Sequence, residues 1–243
     1  MKVLAWNVNH RAAKRKMPGW IAIAIADVAP QVLILTEYVT GPDHQRFTDE
    51  LSKTDLPHLL GSDYVEGQNQ VLIAAAEPMT RGTIVGPQIH PAVPPNALHV
   101  ILSGSGIHCL GFRMPAFTGI EMPKKRQTWD WLLGASQELR SYPSFIAGDF
   151  NTAEEDSASY CGDCLRQLAR EWKHARPSSG HSFKSVLSMS TRCIDHIFAS
   201  PSIEVSAPRY SWDFHRHGDD AKSGKVGIPD HAMLIVELQA PKA

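Results

Sequence analysis

The chain of 243 residues is short of the features that would mark several common classes of protein. It has four cysteines, Cys109, Cys161, Cys164 and Cys193, too few and too scattered for a disulfide scaffold. Neither charge dominates: 24 Lys and Arg stand against 25 Asp and Glu, so no global basic field draws the protein onto a polyanion. Any such binding must come from a local patch. No apolar run reaches the length of a membrane span; the one from Trp20 to Ala26 stops at Asp27. The amino-terminal run Met1 to Asn7 is too short for a signal peptide. Repeats, low-complexity tracts and domain linkers are lacking as well. These absences lead us to expect one domain over 1–243, cytoplasmic and reduced, monomeric, and without a membrane partner. Cys161-Gly162-Asp163-Cys164 has no second pair at a matching spacing, so it reads as two thiols early in a helix rather than a zinc site.

What is present is a 43% hydrophobic chain, enough for one large core, organised around Ser144-Phe145-Ile146-Ala147-Gly148-Asp149-Phe150-Asn151-Thr152. Phe145 to Ala147 reads as a short buried strand that ends at a glycine and a carboxylate. Asp149 and Asn151 sit two apart and project from one side of an extended chain. Upstream, Val3 to Trp6 and Val32 to Leu35 read as buried strands joined by a helix over 19–29, a parallel βαβ unit. They deliver Asn7 and Glu37 to the same edge. A helix capped by Asp43 follows. Strands are then expected at 70–76, 82–85, 98–102 and 107–112 with only turns between them, hence antiparallel. A helix over 124–142 feeds the central strand, and another is expected at 158–172. Strands at 192–198 and 232–238 close the chain, with a long polar loop over 209–227 between them. The sheet is mixed, which argues against a doubly wound nucleotide fold.

The polar residues at these strand ends are Asn7, Glu37, Asp149, Asn151, Asp195, Asp230 and His231. Brought together, four carboxylates repel and call for a cation. Oxygen donors with few histidines and no thiolate favour Mg²⁺ or Mn²⁺, ions that commonly act on phosphate. Trp-Asn-Val-Asn at 6–9, Leu-Thr-Glu at 35–37, Gly-Asp-Phe-Asn at 148–151, Ile-Asp-His at 194–196 and Pro-Asp-His at 229–231 resemble, in order, the motifs of the endonuclease/exonuclease/phosphatase superfamily. The resemblance implies an α/β four-layer α-β-β-α sandwich of two packed mixed sheets. It also implies a divalent-metal-dependent phosphoesterase of the exonuclease III or deoxyribonuclease I kind.

By that resemblance Glu37 is the principal metal ligand, with Asn7 beside it and Asp230 as a further carboxylate near the metal. Asp149 orients or deprotonates the attacking water, Asn151 is its partner at the phosphate, and His231 touches the phosphate, held by Asp195. Two departures stand out. Asn9 occupies a place where abasic-site endonucleases tend to carry an aspartate. Arg113 falls where relatives carry a tyrosine or histidine, and offers the phosphate a guanidinium fork, or else is a solvated strand-end arginine. His196 points opposite to Asp195 and reads as a packed core histidine. Gln68, Asn69 and Gln70 suit either a phosphate or a turn. The basic runs, Lys14 and Arg15 in one and Lys124, Lys125 and Arg126 in the other, point to nucleic acid as substrate, with Asn9 and Trp212 as further contacts; Trp212 either stacks on a base or covers the sheet. A small or lipid-headgroup phosphate ester is the rival substrate, and a non-catalytic phosphate-binding module the rival of another class.

Overall fold

The structure is a computed structural model that describes residues 1–9, 17–89, 96–185, 187–217 and 229–241. Two six-stranded mixed sheets pack face to face with helices outside them. In the first sheet the order is β13 (Glu204–Ser211), β14 (Met233–Gln239), β1 (Lys2–Asn7), β2 (Val32–Tyr38), β4 (Gln70–Ala75) and β3 (His58–Gly61). The second runs β5 (Met79–Arg81), β6 (Ala97–Leu102), β7 (His108–Arg113), β8 (Ser144–Asp149), β12 (Asp195–Ala199) and β9 (Lys173–His174). The short strands β10 (Phe183–Lys184) and β11 (Thr191–Arg192) pair on their own.

Each sheet contains one parallel pair, and a helix makes each crossover. Helix α1 (Trp20–Val28) joins β1 to β2, and α3 (Met122–Leu139) joins β7 to β8. The other strand pairs are antiparallel. Strand alternation sorts the apolar residues into three layers. Val3, Ala5, Val32, Ile34, Val71, Ile73, Leu98, Val100, Cys109, Phe145, Ala147 and Ile197 meet between the sheets. Leu4, Trp6, Leu33 and Leu35 turn outward under α1 and α2 (His44–Ser52), while Leu110, Phe112, Ile146 and Phe198 lie under α3 and α4 (Gly162–Glu171). The period-2 pattern therefore decides which polar residue at a strand's end looks into the space between the sheets.

Three expectations need correction. Residues 82–85 are not a strand; β5 ends at Arg81. Gly82 lies against the His99 ring, where a Cβ would come within 2.0 Å of Nδ1, and the Ile84 N–H donates to that Nδ1 at 3.2 Å in place of a strand partner. The polar segment beginning at 209 is partly strand: β13 reaches Ser211 and a short 3-10 turn spans Asp213–His217. As an edge strand exposed at half of its residues, with a register shift between Ser206 and Arg209, β13 has no apolar run to announce it. The edge strand β3 is short for the same reason. The expected helix at 158–172 starts as a 3-10 turn, and α4 proper begins only at Gly162, after a left-handed Cys161. No helix among the described residues is long and apolar enough to cross a membrane.

Candidate active site

The carboxyl ends of both parallel pairs open at the same edge of the sandwich. Asn7 lies opposite Thr36 in the first sheet, and Arg113 opposite Asp149 in the second. Antiparallel β12 begins here, with Asp195 opposite Asp149. His231 enters just before β14, its carbonyl accepting from Trp6 Nε1 at 3.0 Å. Arg113, Asp149 and Asp195 thus stand in one row across three strands and face the gap between the sheets.

Several of these residues hold unusual backbone. Glu37 has φ 53° where the β2–β4 register shifts between Leu35 and Tyr38, a bulge that re-aims its side chain. Asn9 (φ 48°) and Asn151 (φ 43°) are left-handed too. Gly148 has φ 142°, and a Cβ there would sit 2.0 Å from the Phe112 carbonyl oxygen, so no other residue lets β8 approach β7 so closely before Asp149.

Asp149 is 1% exposed and held by three donors. Asn7 Nδ2 donates to Oδ2 at 3.0 Å, the Asn151 N–H to Oδ1 at 2.9 Å, and Asn151 Nδ2 to Oδ2 at 2.9 Å. The second Asn151 amide proton goes to the Met114 carbonyl at 2.8 Å. With both protons used, Asn151 braces Asp149. His231 Nδ1 is 2.7 Å from Asp195 Oδ2, and Nε2 lies 3.4 Å from Asn7 Nδ2 and 3.9 Å from Asp230 Oδ1. The Asp195 N–H donates to Ser182 Oγ at 3.0 Å, which fixes the strand start. Arg113 grips Glu37 Oε1 with Nη2 at 2.5 Å and Nε at 3.0 Å, and its Nε is 4.0 Å from Asp149 Oδ2. Asn9 joins the edge through its N–H to Asn7 Oδ1 at 3.0 Å and its Nδ2 to Asp230 Oδ1 at 3.4 Å.

The electrostatics follow from burial and charge excess. Burial pushes Asp149 up to about 6 against the pull of His231 and Arg113. Burial also raises Asp230. It disfavours the charged His231 ring, yet the Asp195 carboxylate wins and holds that ring up at about 10. Glu37 resists burial and stays below its ordinary value because of the Arg113 guanidinium. Four carboxylates share the cleft with one guanidinium and one imidazole, an excess of negative charge that a hard divalent cation offsets. Among the described residues, Asp149, Asp195 and His231 also place ligand atoms within 4.8 Å of one another. The donor set therefore fits such an ion.

Nine of the residues singled out by sequence meet at this edge: Asn7, Asn9, Glu37, Arg113, Asp149, Asn151, Asp195, Asp230 and His231. The second basic run does not form a free cationic face. Lys125 is 4% exposed and turns inward, its Nζ donating to the Asn151 carbonyl at 2.7 Å. Lys124 pairs with Glu121 at 3.1 Å, and Arg126 makes a two-point bond to Asp163 at 3.0 and 3.1 Å. The helical pitch that places Trp129 and Leu132 inside also turns Lys125 inward. Lys14 and Arg15 lie outside the described residues. Trp212 packs with Phe214 and His215 on the outer layer of the first sheet, the sheet-covering alternative. His196 is buried, 2.9 Å from the Thr152 carbonyl and 3.0 Å from His174, a packed histidine as expected. Ser182 and the inward role of Lys125 escaped the sequence reading; the helical phase of Lys125 against Trp129 was the one available signal.

Comparisons with known proteins bear on the fold and the family. No curated protein sequence matches. An AP endonuclease from Archaeoglobus fulgidus superposes with a TM-score of 0.74 at 16% identity, covering 99% of this chain and 100% of its own. A variant of the 3′ phosphatase NExo from Neisseria, bound to product DNA hairpin, gives a TM-score of 0.74 at 17% identity, over 98% and 99% of the two chains. Truncated Caenorhabditis elegans TDP2 gives 0.69 at 14%, over 98% and 97%. At such identities these structures speak to the fold. The family model described as Endonuclease/Exonuclease/phosphatase family matches residues 4–219, a span that holds every strand-end residue of the cleft except Asp230 and His231, and the chain belongs to that family.

Proposed function

We propose that this phosphoesterase is a divalent-metal-dependent hydrolase of phosphodiester bonds in nucleic acid. The observation that carries the reading is the Asp195–His231 pair set beside a buried, three-donor-braced Asp149 at one sheet edge. Asp195 fixes the imidazole through Nδ1, so Nε2 is the atom that donates to a phosphate oxygen. The nitrogen nearest Nε2 is a long 3.4 Å away and belongs to an amide that is itself a donor, which leaves that proton for the substrate. Asp149 orients and deprotonates the attacking water, a role suited to a carboxyl whose burial makes it more basic than usual. Asn151 keeps its carboxylate aimed. Glu37, Asn7 and Asp230 would hold the cation, which supplies Lewis-acid polarisation of a phosphate oxygen when bound. Arg113, held by Glu37, adds a guanidinium for the charge that builds on the phosphate.

Nucleic acid is preferred because two of the similar structures are named as acting on it: an AP endonuclease and a phosphatase bound to DNA. A small phosphate ester is the second reading, favoured by the inward turn of Lys125 and the pairing of Lys124 and Arg126. The test is a panel of plasmid, abasic duplex, single-stranded DNA, RNA and bis(p-nitrophenyl) phosphate with Mg²⁺ or Mn²⁺. We expect a polynucleotide to be cut faster than the simple diester, and all turnover to stop in EDTA. Undiminished hydrolysis after prolonged chelation refutes the metal; a polynucleotide cut no faster than the diester refutes the nucleic-acid substrate.

A further inference from the structure

The Asp195–His231 pair spans the two sheets: Asp195 opens β12 in the second, and His231 stands just before β14 in the first. Ladder hydrogen bonds run within a sheet, so no ladder bond joins these two residues. The backbone of Asp195 shows what does hold it. The Phe150 N–H bonds the Ile194 carbonyl at 2.8 Å, which makes Asp195 and Asp149 an opposed pair without ladder bonds between them. The N–H and carbonyl of Asp195 therefore face away from β8. On that side β9 pairs only with Phe198 and Ala199 and stops short of Asp195. Buried peptide groups demand partners, and here two side chains supply them in place of a strand. Ser182 Oγ accepts the N–H of Asp195 at 3.0 Å and that of Ile194 at 2.8 Å, and the Tyr210 hydroxyl donates to the Asp195 carbonyl at 3.2 Å.

Both side chains are anchored to the sheet that carries His231. Tyr210 lies on β13, opposite Leu234 of β14. Ser182 is fastened beside the imidazole itself. Its carbonyl accepts the Ala232 N–H at 2.6 Å, Phe183 forms an isolated bridge with His231, and the Lys184 N–H donates to the Asp230 carbonyl at 3.1 Å. The Ser182 N–H goes to the Arg192 carbonyl at 3.0 Å, so the residue is bonded on every side. At 0% exposed it touches no substrate. Burial raises the Tyr210 hydroxyl above its ordinary value, which keeps it protonated and a donor at neutral pH.

We propose that Ser182 and Tyr210 are positioning residues that clamp the backbone of Asp195 to the first sheet and so hold its carboxylate against His231. This rests on the phosphoesterase reading above, in which that pair serves the phosphate. The clamp grips the N–H and the carbonyl on either side of the Asp195 Cα, so it fixes where the side chain starts and where it aims. A misplacement of about 1 Å in a catalytic group can lower turnover about 10²-fold. Loosening the clamp therefore costs turnover rather than substrate binding, and it costs nothing where the imidazole is absent.

The test measures kcat and KM on bis(p-nitrophenyl) phosphate with Mn²⁺ for Ser182→Ala and Tyr210→Phe, each alone and in a His231→Ala background. Rates are taken at a temperature where circular dichroism shows each protein folded. We expect Ser182→Ala to lower kcat by at least about tenfold and Tyr210→Phe by at least about threefold, with KM within about twofold. In the His231→Ala background each further loss stays below about twofold. In proton NMR spectra the Nδ1–H resonance of the Asp195–His231 bond, identified by its loss in Asp195→Ala, moves upfield in both variants. Smaller losses of kcat in folded protein, whatever the melting temperature does, make the two hydroxyls structural only and overturn the clamp. Losses that multiply with His231→Ala, or a resonance that stays in place, overturn it as well. Should Ser182→Ala fail to fold, Tyr210→Phe, which deletes one oxygen and keeps the ring, decides by the same criteria. Absence of turnover in the unaltered protein overturns the phosphoesterase reading, and the resonance then decides the clamp by itself.

Discussion

Replacing Lys125 by methionine separates a positioning lysine from a phosphate-binding one. Lys125 is 4% exposed, its Nζ is 2.7 Å from the Asn151 carbonyl, and Asn151 holds a left-handed φ of 43° while bonding Asp149 twice. A hydrogen bond from a charged donor contributes about 1.5–3 kcal/mol, and a non-glycine residue in the left-handed region costs about 1–3 kcal/mol, so the bond is large enough to decide that conformation. Methionine keeps the apolar stem but orphans the Asn151 carbonyl. Losing about 1.4–2.8 kcal/mol of alignment at Asp149 lowers kcat roughly 10- to 100-fold. KM for a long duplex stays within about twofold, because no phosphate contact is removed. The assay is initial rates on duplex DNA from roughly 50 to 200 mM salt, with a urea midpoint to confirm folding. The slope of log kcat/KM against log salt should match that of the unaltered protein. A phosphate-bound lysine would do the opposite, leaving kcat intact and flattening the slope by about 0.9. That outcome would refute the inward assignment.

Asp195→Ala and His231→Ala should be strongly non-additive in kcat, since the carboxylate acts through the ring it holds at 2.7 Å; multiplying losses would show that they work independently. Asp149→Asn keeps the shape and removes the charge, and should lower kcat by about 10²–10⁴ with the fold intact. A loss under about tenfold moves the base elsewhere. Stability should fall on acidification, because burial holds His99 and His174 neutral down to about 4 and about 3, whereas the unfolded chain protonates them near 6.5. The unfolded state then binds more protons between those values, so the contribution is full above about pH 6.5 and is lost as pH falls toward 4 and 3. The pair amounts to roughly 2–5 kcal/mol after a discount for solvent screening. Urea unfolding at a series of pH values measures it, and a flat profile across that window would show that the histidines stay solvated.

Much of the architecture was readable because burial writes itself into sequence as runs and periods. Val3 to Trp6, Val32 to Leu35 and Phe145 to Ala147 are buried on both faces, so they carry unbroken apolar runs that end where a polar residue meets the cleft. Edge strands carry no such signal: β3 is half-buried throughout and half of β13 is exposed, so each resembles loop. The failure at 82–85 has another cause. Gly-Thr-Ile-Val has strand composition, but the partner that would pair it is displaced by the His99 side chain, and only the folded chain shows that.

The site divides along the same physical line. Asp149, Asp195, His231 and Glu37 could be singled out because each lies beside an apolar run within a motif that resembles the family's; a strand-end carboxylate alone suits a turn equally well. Residues whose role depends on what they touch could not. Lys125 and Lys124 are indistinguishable in composition, and one helical step of 100° sends the first to Asn151 and the second to Glu121. Gln70 suited either a phosphate or a turn, and the structure gives it no phosphate-facing duty: its side chain bonds the Thr40 N–H and the Ser62 carbonyl. Alternation was available from the sequence all along. Extending each inward-facing row one step past its last apolar residue leads from Ala147 to Asp149, from Ile197 to Asp195 and from Ala5 to Asn7. The rule that builds the core between the sheets, carried one residue further on three strands, sets Asn7, Asp149 and Asp195 at their common edge.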